Sequence, residues 1–236
     1  MKIRRNVLTA ALIAATASHV LASTTVSLTV DTWQVSGQFA WVQQTQPAPG
    51  FTPGQTYAGF FSGLVDGQRY VFLCTSENVN INVGQTYAFS MYSPDEFADT
   101  PFSSNGVALT GDQKTSIETL MNNVGFGPIS GFIAPGVQSV VGVPWTPTVQ
   151  LSLDSFNSQK ASDLQMLTWE IAQDTSGQID LSSGSLQWTR DGAPIPREEY
   201  QGMLTGIGNI ANIVPEPQPA SFLSLALAFY VIRRKR

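Results

Sequence analysis

The stretch Tyr57 to Cys74, YAGFFSGLVDGQRYVFLC, sets the character of the chain. Apolar residues crowd both sides of Asp66-Gly67, a dipeptide that reverses the chain because both central residues of a tight hairpin turn need positive φ. The reading is two strands, Tyr57 to Leu64 and Tyr70 to Cys74, joined as an antiparallel hairpin. Working outward, Thr25 to Val30, Val35 to Val42 and Gln85 to Met91 have the same strand-like pattern, with a Gly and Pro cluster at Pro47 to Gly54 as a break. An antiparallel β core is expected.

Beyond this core the period changes. Ile117, Leu120, Met121 and Val124 fall at i, i+3, i+4 and i+7, with Asp112 as the expected cap and Gly125 as the stop, which predicts a helix of about three turns. Phe126 to Pro147 is rich in Gly and Pro and reads as a long loop with short strands. A second helix is expected from Ser158 to Asp174, with Ala161, Leu164, Thr168 and Ile171 along one face and Gly177 ending it. Gln178 to Thr189 reads as a strand pair around Ser183-Gly184, and Pro196 to Leu204 as a weak helical segment. The fold class is α+β: an antiparallel β-rich core with two main amphipathic helices, flanked by a signal peptide and a C-terminal transmembrane sorting helix.

Those flanks are read from charge and length. Residues 1–22 place Lys2, Arg4 and Arg5 before an apolar run and end in Val20-Leu21-Ala22, the layout of a secretory signal peptide cleaved after Ala22. The body then runs over residues 23–205, and residues 206–213 form a small-residue linker. Residues 214–236 carry Val214-Pro215-Glu216-Pro217, an apolar run over 220–232 and the block Arg233, Arg234, Lys235 and Arg236. A cationic block after an apolar run resists crossing and stays cytoplasmic. Thirteen helical residues span about 20 Å against a hydrocarbon core of about 30 Å, which suits a temporary anchor. The membrane is therefore an expected partner through this segment.

Removing both ends leaves a strongly acidic body whose cations are Arg69, Lys114, Lys160, Arg190 and Arg197. No nucleic-acid binding is expected, because phosphate contacts need a basic face. The one histidine, His19, falls within the signal peptide, so serine-triad hydrolysis and His-ligated zinc lose their central residue in the body. No enzyme activity, metal or cofactor is expected. The acidic turn Tyr92 to Asp99 has no complete calcium-loop spacing and reads as a solvated loop.

The tail, with Pro215-Glu216-Pro217, an apolar run and a basic end, resembles the PEP-CTERM sorting signal of bacterial surface proteins. That resemblance implies export by the secretion machinery and handling by a membrane-embedded exosortase. It further implies an inner-membrane-anchored precursor that ends at the cell surface or outside the cell.

Cys74 is the only cysteine, so no internal disulfide is available to it. It ends an apolar strand, and about ninety residues later comes Leu164-Gln165-Met166-Leu167-Thr168-Trp169-Glu170-Ile171. A strand ending in Cys, with a later helix carrying Gln and Trp four residues apart, resembles the thioester domains of bacterial surface adhesins. The resemblance implies that the Cys74 thiol and the Gln165 side chain condense with loss of ammonia, and that Trp169 packs the Gln-bearing helix. It implies adhesion or a biofilm-matrix role, with a surface polysaccharide or a protein nucleophile as covalent partner. Buried cysteine as a small hydrophobe is the plainer reading of Cys74. An alternative from another class is a secreted carbohydrate-binding or glycoside-processing protein using carboxylates such as Glu170 and Asp174.

Overall fold

A computed structural model describes residues 24–31, 39–46, 54–76, 81–104, 107–134, 139–174, 177–184 and 186–208. In chain order the strands and helices are β1 (Thr24–Asp31), β2 (Phe39–Gln46), β3 (Gly54–Gly59), β4 (Phe61–Val65), β5 (Gln68–Cys74), β6 (Thr86–Tyr92), β7 (Ser103–Ser104), β8 (Val107–Ala108), α1 (Gly111–Asn123), β9 (Ser130–Ile133), β10 (Ser139–Pro144), α2 (Pro147–Asp154), α3 (Ser158–Gln173), β11 (Gln187–Arg190), β12 (Ala193–Pro194) and α4 (Arg197–Tyr200). The fold is mixed α+β, with a strand-rich antiparallel core and few helices.

Asp66 and Gly67 take φ of 48° and 86°, and they fold β4 onto β5 from Val65↔Gln68 to Phe61↔Phe72. This hairpin is part of a closed barrel in the order β1-β4-β5-β10-β9-β6, with every pairing antiparallel. Closure removes the unpaired edges that an open sheet would expose. A second sheet has the order β12-β11-β2-β3.

The expected single strand Tyr57 to Leu64 is two strands in two sheets. β3 pairs with β2, whereas β4 pairs with β1 and β5. Gly59, at φ 151°, allows the chain to leave one sheet for the other, and Phe60 is buried at the bend. Side chains alternate across β5 accordingly. Tyr70 and Phe72 join the barrel interior with Leu28, Phe89 and Phe132, while Val71 and Leu73 join the larger core beneath the helices. A strand buried on both faces reads as an unbroken apolar run, which explains Tyr70-Val71-Phe72-Leu73.

Other expectations are corrected by the same packing. Within residues 126–147 the short strands β9 and β10 are integral to the barrel, since they complete its closure. Gly142 stands opposite Phe72, and a Cβ there would lie 2.6 Å from the Phe72 ring, so this glycine answers a close approach. α1 is capped by Thr110 in a reciprocal box with Gln113, not by Asp112, which falls in its first turn. Gly125, at φ 80°, follows α1 as expected. Residues 178–186 form no hairpin among the described residues; β11 pairs instead with β2 and, through Asp191-Gly192, with β12.

α2 falls where the sequence pattern shows no helix, and it adds a third substantial one. α3 starts at Asn157, whose Oδ1 accepts from the Lys160 N–H at 2.8 Å. From Ala161 to Ala172 every residue of α3 is buried, so it is a central helix and not a surface one with a single apolar stripe. Among the described residues no helix is long and apolar enough to cross a membrane. The expected signal peptide at residues 1–22, the expected sorting motif Val214 to Pro217, the 220–232 segment and the block Arg233 to Arg236 lie outside the described residues.

Candidate functional site at the end of β5

The β4–β5 ladder stops at Phe61↔Phe72 because the preceding chain has turned into β3. Cys74, two residues further along β5, faces Val140 of β10 on its other side. The next residue, Thr75, donates its N–H to the Ser139 carbonyl at 3.1 Å. Alternation along an antiparallel strand therefore turns the N–H and C=O of Cys74 away from β10, toward the place β4 has vacated. Buried backbone groups need partners.

Gln165 supplies both. Its Oε1 accepts from the Cys74 N–H at 3.0 Å, and its Nε2 donates to the Cys74 carbonyl at 2.6 Å. A primary carboxamide has the same donor and acceptor pair as a peptide group, so Gln165 stands in for a residue of the missing strand. Gln165 is 2% exposed, in the middle of α3. The structure thus joins the two residues singled out in the sequence, and holds the Gln165 carboxamide against the backbone of the residue that bears the thiol.

Further bonds fix this end of β5. Thr75 is buried; its carbonyl accepts from Ser104 Oγ at 2.6 Å and from Gln173 Nε2 at 3.4 Å, and its hydroxyl donates to the Ser139 carbonyl at 2.9 Å. Gln165 and Gln173 are eight residues apart on α3, close to two helical turns, and so clasp consecutive residues of one strand. Gln113 of α1 donates to the carbonyls of Ile171 and Ala172 at 2.9 and 3.1 Å, tying the far end of α3 in place.

Cys74 packs against the barrel cluster and keeps partial exposure. Burial disfavours its thiolate and pushes the thiol up to about 12. At neutral pH Cys74 is therefore a thiol, and it is a weak nucleophile until a proton is removed.

Trp169 lies one turn beyond Gln165, 3% exposed and stacked on Trp188 of β11 with ring centroids 5.1 Å apart. This stack fixes α3 against the second sheet. Asp163, at the start of α3, pairs with Arg190, which also bonds Glu199 of α4 at 2.7 Å. Burial nevertheless raises the Asp163 carboxyl to about 6, outweighing the guanidinium.

The carboxylates of the carbohydrate reading have a different setting. Glu170 and Asp174 are 1% and 2% exposed, one helical turn apart, with their carboxyl groups against each other. Burial, then Asp174, raises the Glu170 pKa well above the usual carboxylate range. In the acidic turn Tyr92 to Asp99, Glu96 is engaged as a cap, its Oε2 accepting from the N–H and hydroxyl of Ser93 at 2.9 and 2.8 Å. Among the described residues no group of three or more His, Cys, Asp or Glu is placed to hold a metal ion. Sequence reading missed the roles of Thr75, Ser104, Gln113 and Gln173, because neutral side chains bonded to distant backbone leave no pattern in the chain. Compared with known proteins, the chain matches no family model, no curated protein and no solved structure.

Proposed function

We propose that this chain is an exported, non-enzymatic cell-surface or extracellular-matrix protein whose body forms an internal thioester between Cys74 and Gln165 and uses it to attach covalently to a neighbouring surface. The observation that carries this reading is the pair of hydrogen bonds between the Gln165 carboxamide and the Cys74 backbone. In the reaction the Cys74 sulfur attacks Gln165 Cδ. The Cδ–Nε2 bond breaks, the Cδ–Sγ bond forms, and the thiol proton leaves on ammonia. The Cys74 N–H already touches Oε1, the oxygen on which charge develops as the sulfur adds, so it serves as an oxyanion donor. A lysine amine or sugar hydroxyl then takes the acyl group and returns the thiol.

Export and sorting belong to the same proposal. The signal peptide takes the body across the inner membrane, and an exosortase reads the tail at Val214 to Pro217 while Arg233 to Arg236 hold it in place. The adhesive or matrix role follows from where this route ends. The carbohydrate-processing alternative has less support, since Glu170 and Asp174 are buried against each other, whereas a glycosidase pair flanks its substrate.

Intact mass decides the central point. The purified chain is expected to be lighter than its sequence by one ammonia, and Cys74→Ala is expected to restore the full mass. An unmodified mass in the wild type under all conditions overturns the thioester. Methylamine should add to the wild type at Gln165 and leave Cys74 free for thiol alkylation.

A further inference from the structure

We propose that Glu170 and Asp174 share one proton, and that this proton is a latch keeping the C-terminal turn of α3 closed at neutral pH and opening it in alkali. The latch stands on α3 and its neighbours alone; its bearing on acyl transfer rests on the thioester reading above.

Glu170 Oε2 is an orphan atom, buried and with no hydrogen-bond donor among the described residues. Among the described residues its Oε1 receives a long contact from the Asp180 N–H, at 3.5 Å. An ionised glutamate in that setting loses its hydration without replacement, which is costly. A proton between Glu170 and Asp174 supplies the missing donor, as in other carboxyl pairs that cannot both ionise at close range. Asp174 is the better site for the remaining charge, since the Leu186 N–H points to its Oδ2 at 3.4 Å.

The surrounding charges do not substitute for the proton. On α3 itself the neighbour is Asp174, and from the following loop it is Asp180. From α4, Tyr200 donates its hydroxyl to Asp180 at 3.2 Å and Arg197 approaches Asp180 at 3.5 Å, so both serve that carboxylate. Lys114 of α1 is engaged with the carbonyls of Ala98 and Thr100 at 2.7 Å each. Arg190 of β11 is engaged with Asp163 and Glu199. The direction of the Glu170 shift agrees with this placement.

The position gives the latch its consequence. Between Glu170 and Asp174 lie Ile171 and Ala172, whose carbonyls accept from Gln113, and Gln173, which donates to the carbonyl of Thr75 beside Cys74. Ionising both carboxyls places two negative charges within one buried turn. That turn carries the bonds from Gln113 that hold α3 to α1 and, through Gln173, one of the bonds from α3 to the end of β5. The clasp around Cys74 is then expected to loosen as pH rises.

The test uses the full chain carrying Cys74→Ala, in which no thioester can form. Unfolding is followed from pH 5 to pH 9 in this background, with and without Glu170→Gln. Without the glutamine, the folding equilibrium constant is expected to fall by up to about ten-fold per pH unit above the ordinary glutamate range. Glu170→Gln is expected to remove that slope above about pH 6, where the Asp163 contribution common to both proteins has ended, because its carboxamide donates to Asp174 at every pH. Asp174→Asn gives Oε2 a donor and is expected to reduce the slope as well. Infrared spectra at neutral pH should show a protonated carboxyl band that Glu170→Gln abolishes. Parallel stability curves, absence of that band, or a glutamine variant that cannot fold would each overturn the latch. With Cys74 present, alkali should increase methylamine labelling more in the wild type than in Glu170→Gln. No labelling in either would count against the thioester, while the melting curves would still judge the latch.

Discussion

Gln165→Glu, made in the Cys74→Ala background, tests the clasp apart from any covalent chemistry. The carboxylate keeps an acceptor for the N–H of residue 74, but it has no donor for the carbonyl that now receives Nε2 at 2.6 Å. Two oxygens would then face each other at a site that is 2% exposed. An unsatisfied buried polar group costs about 1–3 kcal/mol, and burying the new carboxylate adds to this, so the loss at pH 8 is about 3 kcal/mol or more. For a body of this size, 3 kcal/mol lowers Tm by about 6–12 °C. The sign with pH follows from the proton. Once protonated, the introduced carboxyl donates to the carbonyl as the native carboxamide does, so its folded-state pKa lies above the unfolded value of about 4.3. The deficit is therefore small below that value and grows as pH rises through it. Urea unfolding of both proteins at pH 4 and pH 8 is the assay, with their difference as the readout. Equal stability at pH 8 would refute the claim that the Gln165 amide holds the end of β5.

Two further outcomes follow from the same geometry. With the Cys74 thiol pushed up to about 12, thiolate is scarce at neutral pH, so ammonia release from freshly folded protein should quicken about ten-fold per pH unit between pH 7 and pH 9. A rate independent of pH, followed by intact mass over time, would exclude thiolate attack as the limiting step. Gly142→Ala places a methyl 2.6 Å from the Phe72 ring and 2.9 Å from that of Phe132, and is expected to cost about 1–3 kcal/mol by calorimetry, although the new side chain is apolar.

Much of the β core is legible because its strands announce themselves locally. Asp66-Gly67 with apolar runs on either side makes a hairpin whatever surrounds it, and α3 has its cap, its length and its apolar residues in one continuous segment. What the chain does not display is which sheet a strand joins. Gly59-Phe60 looks like the middle of a strand, since a glycine beside aromatic residues carries no mark of the bend it allows. Residues 126–147 look like loop because small residues in their strands, such as Gly131 and Gly142, leave room for Phe97, Phe102, Phe72 and Phe132. Glycine in a strand is a response to neighbours that are distant in sequence.

The site is legible in a different sense. Cys74 and Gln165 stand out in the sequence for the bond that a thiol and a carboxamide can form, but their meeting has a structural cause that operates with or without it. When β4 parts from β5, two backbone groups of Cys74 lose their partners, and only a side chain with a donor and an acceptor in one plane replaces both. An ionised carboxylate or an apolar residue at position 165 would leave at least one of them open. The same carboxamide, held by the same N–H, has its carbonyl oxygen polarised before any sulfur approaches. On the proposed thioester chemistry, structural repair of the strand end and preparation of the amide for attack are one arrangement. What separates a stable clasp from a reactive one is the proton on the Cys74 thiol, which burial makes hard to remove.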